Sequence, residues 1–210
     1  MIDKIYDGPY LRRLDNIIQW SEMDVLNRES VSQHSYKVTI FARVLLEDVF
    51  RGVDTERIRQ FKRECVDHAM FHDWDEALIR RDISHVTKYN KYNGDKIREQ
   101  LNSLAAELAH KEFDEDGSSA ERLLLQSILS PDPTVKKFVK LCDWLAMAFF
   151  VRREQKLGNK NMRLEDTTIF NGISQCVAAL SDILKEKFPE MEFESDTFER
   201  IKEMVYEQKS

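Results

Sequence analysis

The 210-residue chain is 42% hydrophobic and 33% charged, and one domain of that length buries roughly 70% of its unfolded surface without needing disulfides or a metal to hold its core. Six glycines and four prolines, where average usage gives about 25 for this length, argue against a sandwich or barrel and for an all-α fold of long helices. The net charge of −6, with 32 basic residues spread along the chain, excludes a nucleic-acid-binding surface as its main feature, and the longest apolar stretch, residues 141–151, falls far short of the ~20 residues that span a bilayer.

The first helix is expected from Pro9, a favoured first-turn proline, with Leu11, Leu14, Ile17 and Ile18 on one side. A polar segment from about Ser21 to Ser30 leads to a second helix, with Val38, Phe41, Leu45 and Val49 inward and a stop near Gly52. Asp54 is placed to cap a third helix whose inner positions include Ile58, Phe61, Cys65 and Ala69. From Trp74 to Tyr92 the pattern loosens into short turns. Asn93-Gly94-Asp95 then opens a helix carrying Ile97, Leu101, Leu104 and Leu108, and Ser118 with Glu121 forms a capping box for the next.

After Ser130-Pro131-Asp132-Pro133 comes a strongly apolar helix from about Thr134 to Lys156, then a polar loop around Gly158 to Asp166. Two closing helices follow, over about residues 167–208, with Phe193, Phe198, Ile201 and Val205 at helical spacing. No repeat or linker interrupts the chain, so residues 1–210 are expected to form a single domain, with the closing helices packed on it or on a second subunit. The amino terminus lacks the build of a secretory signal. Three cysteines, Cys65, Cys142 and Cys176, are odd in number and lack metal-type spacing, which points to a reduced, cytoplasmic protein.

A few polar residues stand where periodicity predicts burial. The inner face of the second helix, extended backward, reaches His34, and that of the third, extended forward, reaches His72 with Asp73 beside it. Asp143 lies within Leu-Cys-Asp-Trp-Leu-Ala-Met-Ala-Phe-Phe-Val, a run apolar all round. A buried carboxylate requires a cationic partner: a Lys or Arg, a protonated His, or a metal ion. Two imidazoles and two carboxylates together suit Zn, Mn, Fe or Co. His68 shares a helix face with His72 and is assigned to packing or to support of the site.

In order and spacing, His34 within Val-Ser-Gln-His-Ser, His72-Asp73 within Phe-His-Asp-Trp-Asp-Glu, and Asp143 within Lys-Leu-Cys-Asp resemble the HD-domain phosphohydrolases. More narrowly, the chain is similar to the bacterial and phage 5′-deoxynucleotidases, through Trp20 fourteen residues before His34, Glu76 three after Asp73, and Asp82 leading into Lys88-Tyr89. The resemblance covers about residues 9–155.

It implies that His34, His72, Asp73 and Asp143 ligate one divalent transition metal (Co, Mn, Zn or Fe), that Glu76 handles the water proton, and that Gln19 and Trp20 meet the substrate phosphate and sugar. It also implies that Asp82, Ile83, Ser84 and His85 wrap the nucleotide. The chain departs from the nucleotidases at Gln19, where they carry Arg, at Arg80-Arg81, where they carry Thr-Gly, and at Ser84-His85, where they carry a proline-containing loop. Arg80, Arg81, His85 or Lys88 is then the source of the missing positive charge.

The activity implied is removal of the 5′-phosphate from deoxynucleoside 5′-monophosphates. The alternatives on the same residues are a phage-type deoxynucleoside triphosphate triphosphohydrolase and a catalytically dead nucleotide-binding helical protein. The expected partners are a small nucleotide substrate and a second copy in a homodimer, with no nucleic acid and no membrane.

Overall fold

The structure, a computed structural model, describes residues 9–79, 82 and 131–190, together with positions 96, 97, 99–101, 103, 104, 106 and 107 and positions 198, 200, 201 and 203. It is helical: among the described residues there is no strand, and the one β-type pairing is an isolated antiparallel bridge between Ile18 and Ser30. No helix among them is long and apolar enough to cross a membrane. The chain divides into two compact units, Met1–Tyr36 with Phe71–Pro131 and Lys37–Met70 with Asp132–Ser210.

In the first unit, α1 (Pro9–Asn16) opens on its proline and buries Leu14. The helix ends earlier than the apolar spacing predicts. Ile17 and Ile18, a β-branched pair poorly suited to a helix end, leave it for extended backbone: Val31 N–H donates to Ile17 O at 2.9 Å and Gln19 N–H to Glu29 O at 2.8 Å. The start of α2 (Val31–Val49) is set by a reciprocal capping box. Gln33 N–H donates to Ser30 Oγ at 3.3 Å while Ser30 N–H donates to Gln33 Oε1 at 3.0 Å. Farther along, the expected turns after Trp74 begin with a six-residue helix, α4 (Trp74–Ile79), which packs on α1 and follows α3 (Glu56–Phe71) after the two residues His72 and Asp73.

The second unit holds the apolar core. From Lys37 onward α2 buries Val38, Ala42, Leu45 and Leu46. Phe41 and Val49, expected inward, are only half-buried, because the buried stripe runs through Ala42 and Leu46 instead. The expected inner positions of α3 are all buried: Ile58, Phe61, Cys65 and Ala69. Its cap is Thr55 rather than Asp54. Ile58 N–H donates to Thr55 Oγ1 at 3.3 Å, and the Asp54 carboxylate accepts instead from Arg59 Nη1 at 2.9 Å. Phe50, Phe61 and Phe188 meet at ring-centre distances between 5.2 and 5.7 Å, with Phe138 at 6.2 Å from Phe61.

Helix α5 (Pro133–Lys156) carries Pro at its first turn, and the Asp132 carboxylate caps it by accepting from Thr134 N–H at 2.8 Å. The loop expected up to Asp166 is shorter than predicted: a 3₁₀ turn at Lys160–Met162 runs into α6 (Arg163–Lys187). Buried Glu154 organises that connection, accepting from Asn159 Nδ2 at 2.8 Å, while Gly158 supplies the positive φ of 95° that follows the helix end. α5 and α6 pack closely, and a Cβ on Gly172 would lie 2.4 Å from Trp144 Cε2, so only glycine admits the ring. Phe198 and Ile201 are buried, as their spacing predicts. The expected helix start at Asn93-Gly94-Asp95, the capping box at Ser118 and Glu121, and Phe193 and Val205 lie outside the described residues.

Candidate metal centre

The capping box at Ser30 places His34 one turn inside α2, where it is 1% exposed. Its Nδ1 faces Glu29 Oε1 at 3.6 Å and its Nε2 faces Asp73 Oδ2 at 4.0 Å. Glu29, itself 3% exposed, is held by the backbone bond from Gln19. An acceptor beside Nδ1 favours the tautomer whose Nε2 lone pair is left for a ligand. His72, in the turn between α3 and α4, brings its ring centre to 5.5 Å from that of His34 and its Nε2 to 3.1 Å from Asp73 Oδ2.

Asp143 is buried on α5, and Lys140, one turn earlier, donates to its Oδ2 at 2.6 Å. Lys140 Nζ also lies 4.8 Å from the centre of the Trp144 ring. His34 and His72, both in the first unit, each offer one ligand atom, and these two atoms lie within 4.8 Å of one another. Asp73, in contact with both imidazoles, is the remaining carboxylate of the expected four.

Nitrogen and oxygen donors of this kind, with a carboxylate behind one histidine, fit a divalent transition metal. Cysteine does not enter the set: burial, and secondly the charge of Asp143, pushes the Cys142 thiol well above its usual range, so it stays neutral. His68 is buried on the inner face of α3.

Glu76 is 2% exposed, in the first turn of α4, with its N–H donating to Asp73 O at 3.0 Å. A carboxylate at a helix start would ordinarily be solvated, so its burial near the His-Asp pair is informative. Gln19 and Trp20 follow the Ile18 bridge. Trp20 adopts φ of 61°, a left-handed conformation that costs a non-glycine residue about 1–3 kcal/mol, and the turn is closed by Met23 N–H donating to Trp20 O at 2.9 Å.

Asp82, expected to wrap the nucleotide, is buried and accepts from Ser21 N–H at 3.1 Å and from Ser21 Oγ at 3.4 Å. It therefore ties down the turn that carries Gln19 and Trp20. Ile83, Ser84, His85 and Lys88, with Arg80 and Arg81, lie outside the described residues.

Sequence reasoning missed two contributors. Glu29 sits in the polar segment before α2, where no periodicity marks it. Lys140 was signalled only by its spacing of three from Asp143, one turn of helix.

The 5′-deoxynucleotidase YfbR-like family matches the chain over residues 9–204. No curated protein sequence matches it. Among solved structures the chain is similar to an HD-domain phosphohydrolase from Listeria innocua, with 18% identity, a TM-score of 0.56 and 97% of each chain covered. It is also similar to the PH0347 protein from Pyrococcus horikoshii OT3, with 21% identity, a TM-score of 0.59 and 100% of each chain covered. At such identities these likenesses carry the all-α fold. The family match spans both compact units, and on that ground the chain belongs to the YfbR-like 5′-deoxynucleotidase family and is a metal-dependent nucleotide phosphohydrolase.

Proposed function

We propose that the protein removes the 5′-phosphate from deoxynucleoside 5′-monophosphates, with one divalent transition metal (Co, Mn, Zn or Fe) held by His34, His72, Asp73 and Asp143. The observation that carries this reading is the pairing of two buried or nearly buried imidazoles, His34 and His72, with the Asp73 carboxylate facing both, followed one turn later by the buried Glu76. A divalent metal held there supplies positive charge that lowers the pKa of a water and offsets the charge developing on phosphorus.

Glu76 takes the proton of the attacking water and returns it to the sugar 5′-oxygen as its bond to phosphorus breaks, so that inorganic phosphate and the deoxynucleoside leave. Glu29 orients His34, and Asp82 orients the turn that presents Gln19 and Trp20 to the substrate. Ile83, Ser84, His85 and Lys88 complete the substrate contacts in this reading. It extends to a single phosphohydrolase domain working as a homodimer in a reducing cytoplasm, which sedimentation equilibrium of the purified protein tests.

The decisive experiment is a phosphate-release screen over mono-, di- and triphosphates of ribo- and deoxynucleosides with several divalent metals, run beside Asp143→Asn. The amide keeps the shape and removes the anion, so the variant should lose both metal, by elemental analysis, and turnover. A full equivalent of metal and retained activity in that variant would overturn the ligand assignment. Gln19 in place of an arginine fork weakens the grip on a single terminal phosphate. Inorganic triphosphate released from a deoxynucleoside triphosphate, with no turnover of any monophosphate, would replace the reading with that of a triphosphohydrolase.

A further inference from the structure

The segment between α1 and α2 folds back on itself. Ile18 and Ser30 form the antiparallel bridge, Gln19 N–H donates to Glu29 O at 2.8 Å, and Val31 N–H donates to Ile17 O at 2.9 Å. Residues 17–19 and 29–31 thus make a clasp, with residues 20–28 looped between them. Glu29 faces two ways from it. Its backbone carbonyl holds Gln19, while its carboxylate, 3% exposed, lies 3.6 Å from His34 Nδ1. A glutamate is almost never buried to that degree unless it is paired, and a clasp made of backbone bonds needs no carboxylate to close it.

Beyond the clasp lies the turn that starts at Trp20. Its φ of 61° is disfavoured for a residue with a Cβ, so the turn keeps its shape only because contacts hold it. Glu29 O holds it through Gln19 N–H on one side, and Asp82 holds it through Ser21 N–H and Oγ on the other. A change at the Glu29 carboxylate therefore reaches Trp20 through a single backbone hydrogen bond.

We propose that Glu29 is a positioning residue that links the metal histidine to the substrate turn, so that metal binding at His34 and nucleoside binding at Gln19 and Trp20 strengthen each other. With the imidazole fixed by a bound metal, its Nδ1 side fixes the Glu29 carboxylate in turn, and the Glu29 carbonyl holds Gln19 where Trp20 is presented. By reciprocity, a nucleoside that orders the turn raises metal affinity by the same factor. Placing the substrate at Gln19 and Trp20 rests on the nucleotidase reading; the contacts that run from His34 through Glu29 to Gln19 stand without it.

The test uses deoxynucleosides, which lack the phosphate and cannot meet the metal through it. Calorimetric titration of the full-length protein with each of the four, first metal-loaded and then in EDTA, should show binding tightened by metal roughly fivefold or more. Glu29→Leu removes the carboxylate and leaves the backbone carbonyl, so metal affinity should fall about 10–100-fold, and the tightening should vanish even at saturating metal. Glu29→Asp, one methylene too short, makes the same test in a variant that keeps its charge. Glu29→Gln, which keeps an acceptor at the same reach, should retain the tightening. Equal nucleoside affinity with and without metal in the wild type overturns the proposal. So does the absence of any nucleoside binding, or tightening that survives in both Glu29→Leu and Glu29→Asp. A protein that shows the tightening yet releases no phosphate from any monophosphate keeps the link and loses the proposed reaction. Phosphate release without the tightening keeps the reaction and loses the link.

Discussion

In the first unit the buried side chains include Glu29, Ser30, His34, Ser35, Glu76 and Asp82, whereas the second unit closes around Phe50, Phe61, Phe138 and Phe188. Burying polar groups costs free energy unless each is hydrogen-bonded or paired. Burying aromatic rings in edge contact contributes it, by area and by ring geometry. The first unit therefore holds groups whose chemistry outweighs their cost, and the second holds the rings that make the fold affordable. Substitutions in the two regions should separate activity from stability.

Glu76→Ala offers the sharpest break. It should lower turnover roughly 10²–10⁴-fold, the worth of a positioned general acid or base, while metal content and the unfolding midpoint stay near wild type. Single-turnover phosphate release beside elemental analysis reads both quantities, and an unchanged rate would move proton handling to another group.

Phe188→Ala makes the converse case. The ring is fully buried between Phe50 and Phe61, so truncation should cost about 3–5 kcal/mol in denaturant unfolding. The activity of the molecules that remain folded should be unaltered. A fall in turnover per folded molecule larger than the fall in folded fraction would erase the distinction between the two units.

Lys140→Met tests a half-buried charged pair on the apolar helix of the second unit. Without the ammonium, Asp143 lacks its 2.6 Å partner, and the metal-free protein should lose about 1–3 kcal/mol. A divalent metal supplies a replacement cation, so metal should raise the melting temperature of the variant by more than it raises that of the wild type. An equal rise in both would mean that Lys140 and metal do not share Asp143.

The smallest effect concerns the α3 cap. Thr55→Ala should cost about 1 kcal/mol, and Asp54→Ala markedly less, since its exposed pair with Arg59 is of the weak surface kind. Thermal melts of the two variants rank them directly, and the reverse order would return the cap to Asp54.

What was legible in the sequence is what short-range rules control. The inner positions of α3, the apolar helix expected from about Thr134, and the standing of His34, His72 and Asp143 at inward positions were read from helical period, which acts within a turn or two of chain. Even locally, two rival caps one residue apart, Asp54 and Thr55, were decided by where an arginine could reach.

Tertiary structure decided the rest. Ile18 pairs with Ser30, Asp82 accepts from Ser21 sixty-one residues away, and Glu29 faces His34. For Asp143 the sequence admitted a lysine, a protonated histidine or a metal. Folding placed Lys140 on its Oδ2. The physical reason is common to all of these: burial withdraws water from a polar group, and the partner that replaces water is whichever group the packed chain brings near, which spacing along the sequence does not encode.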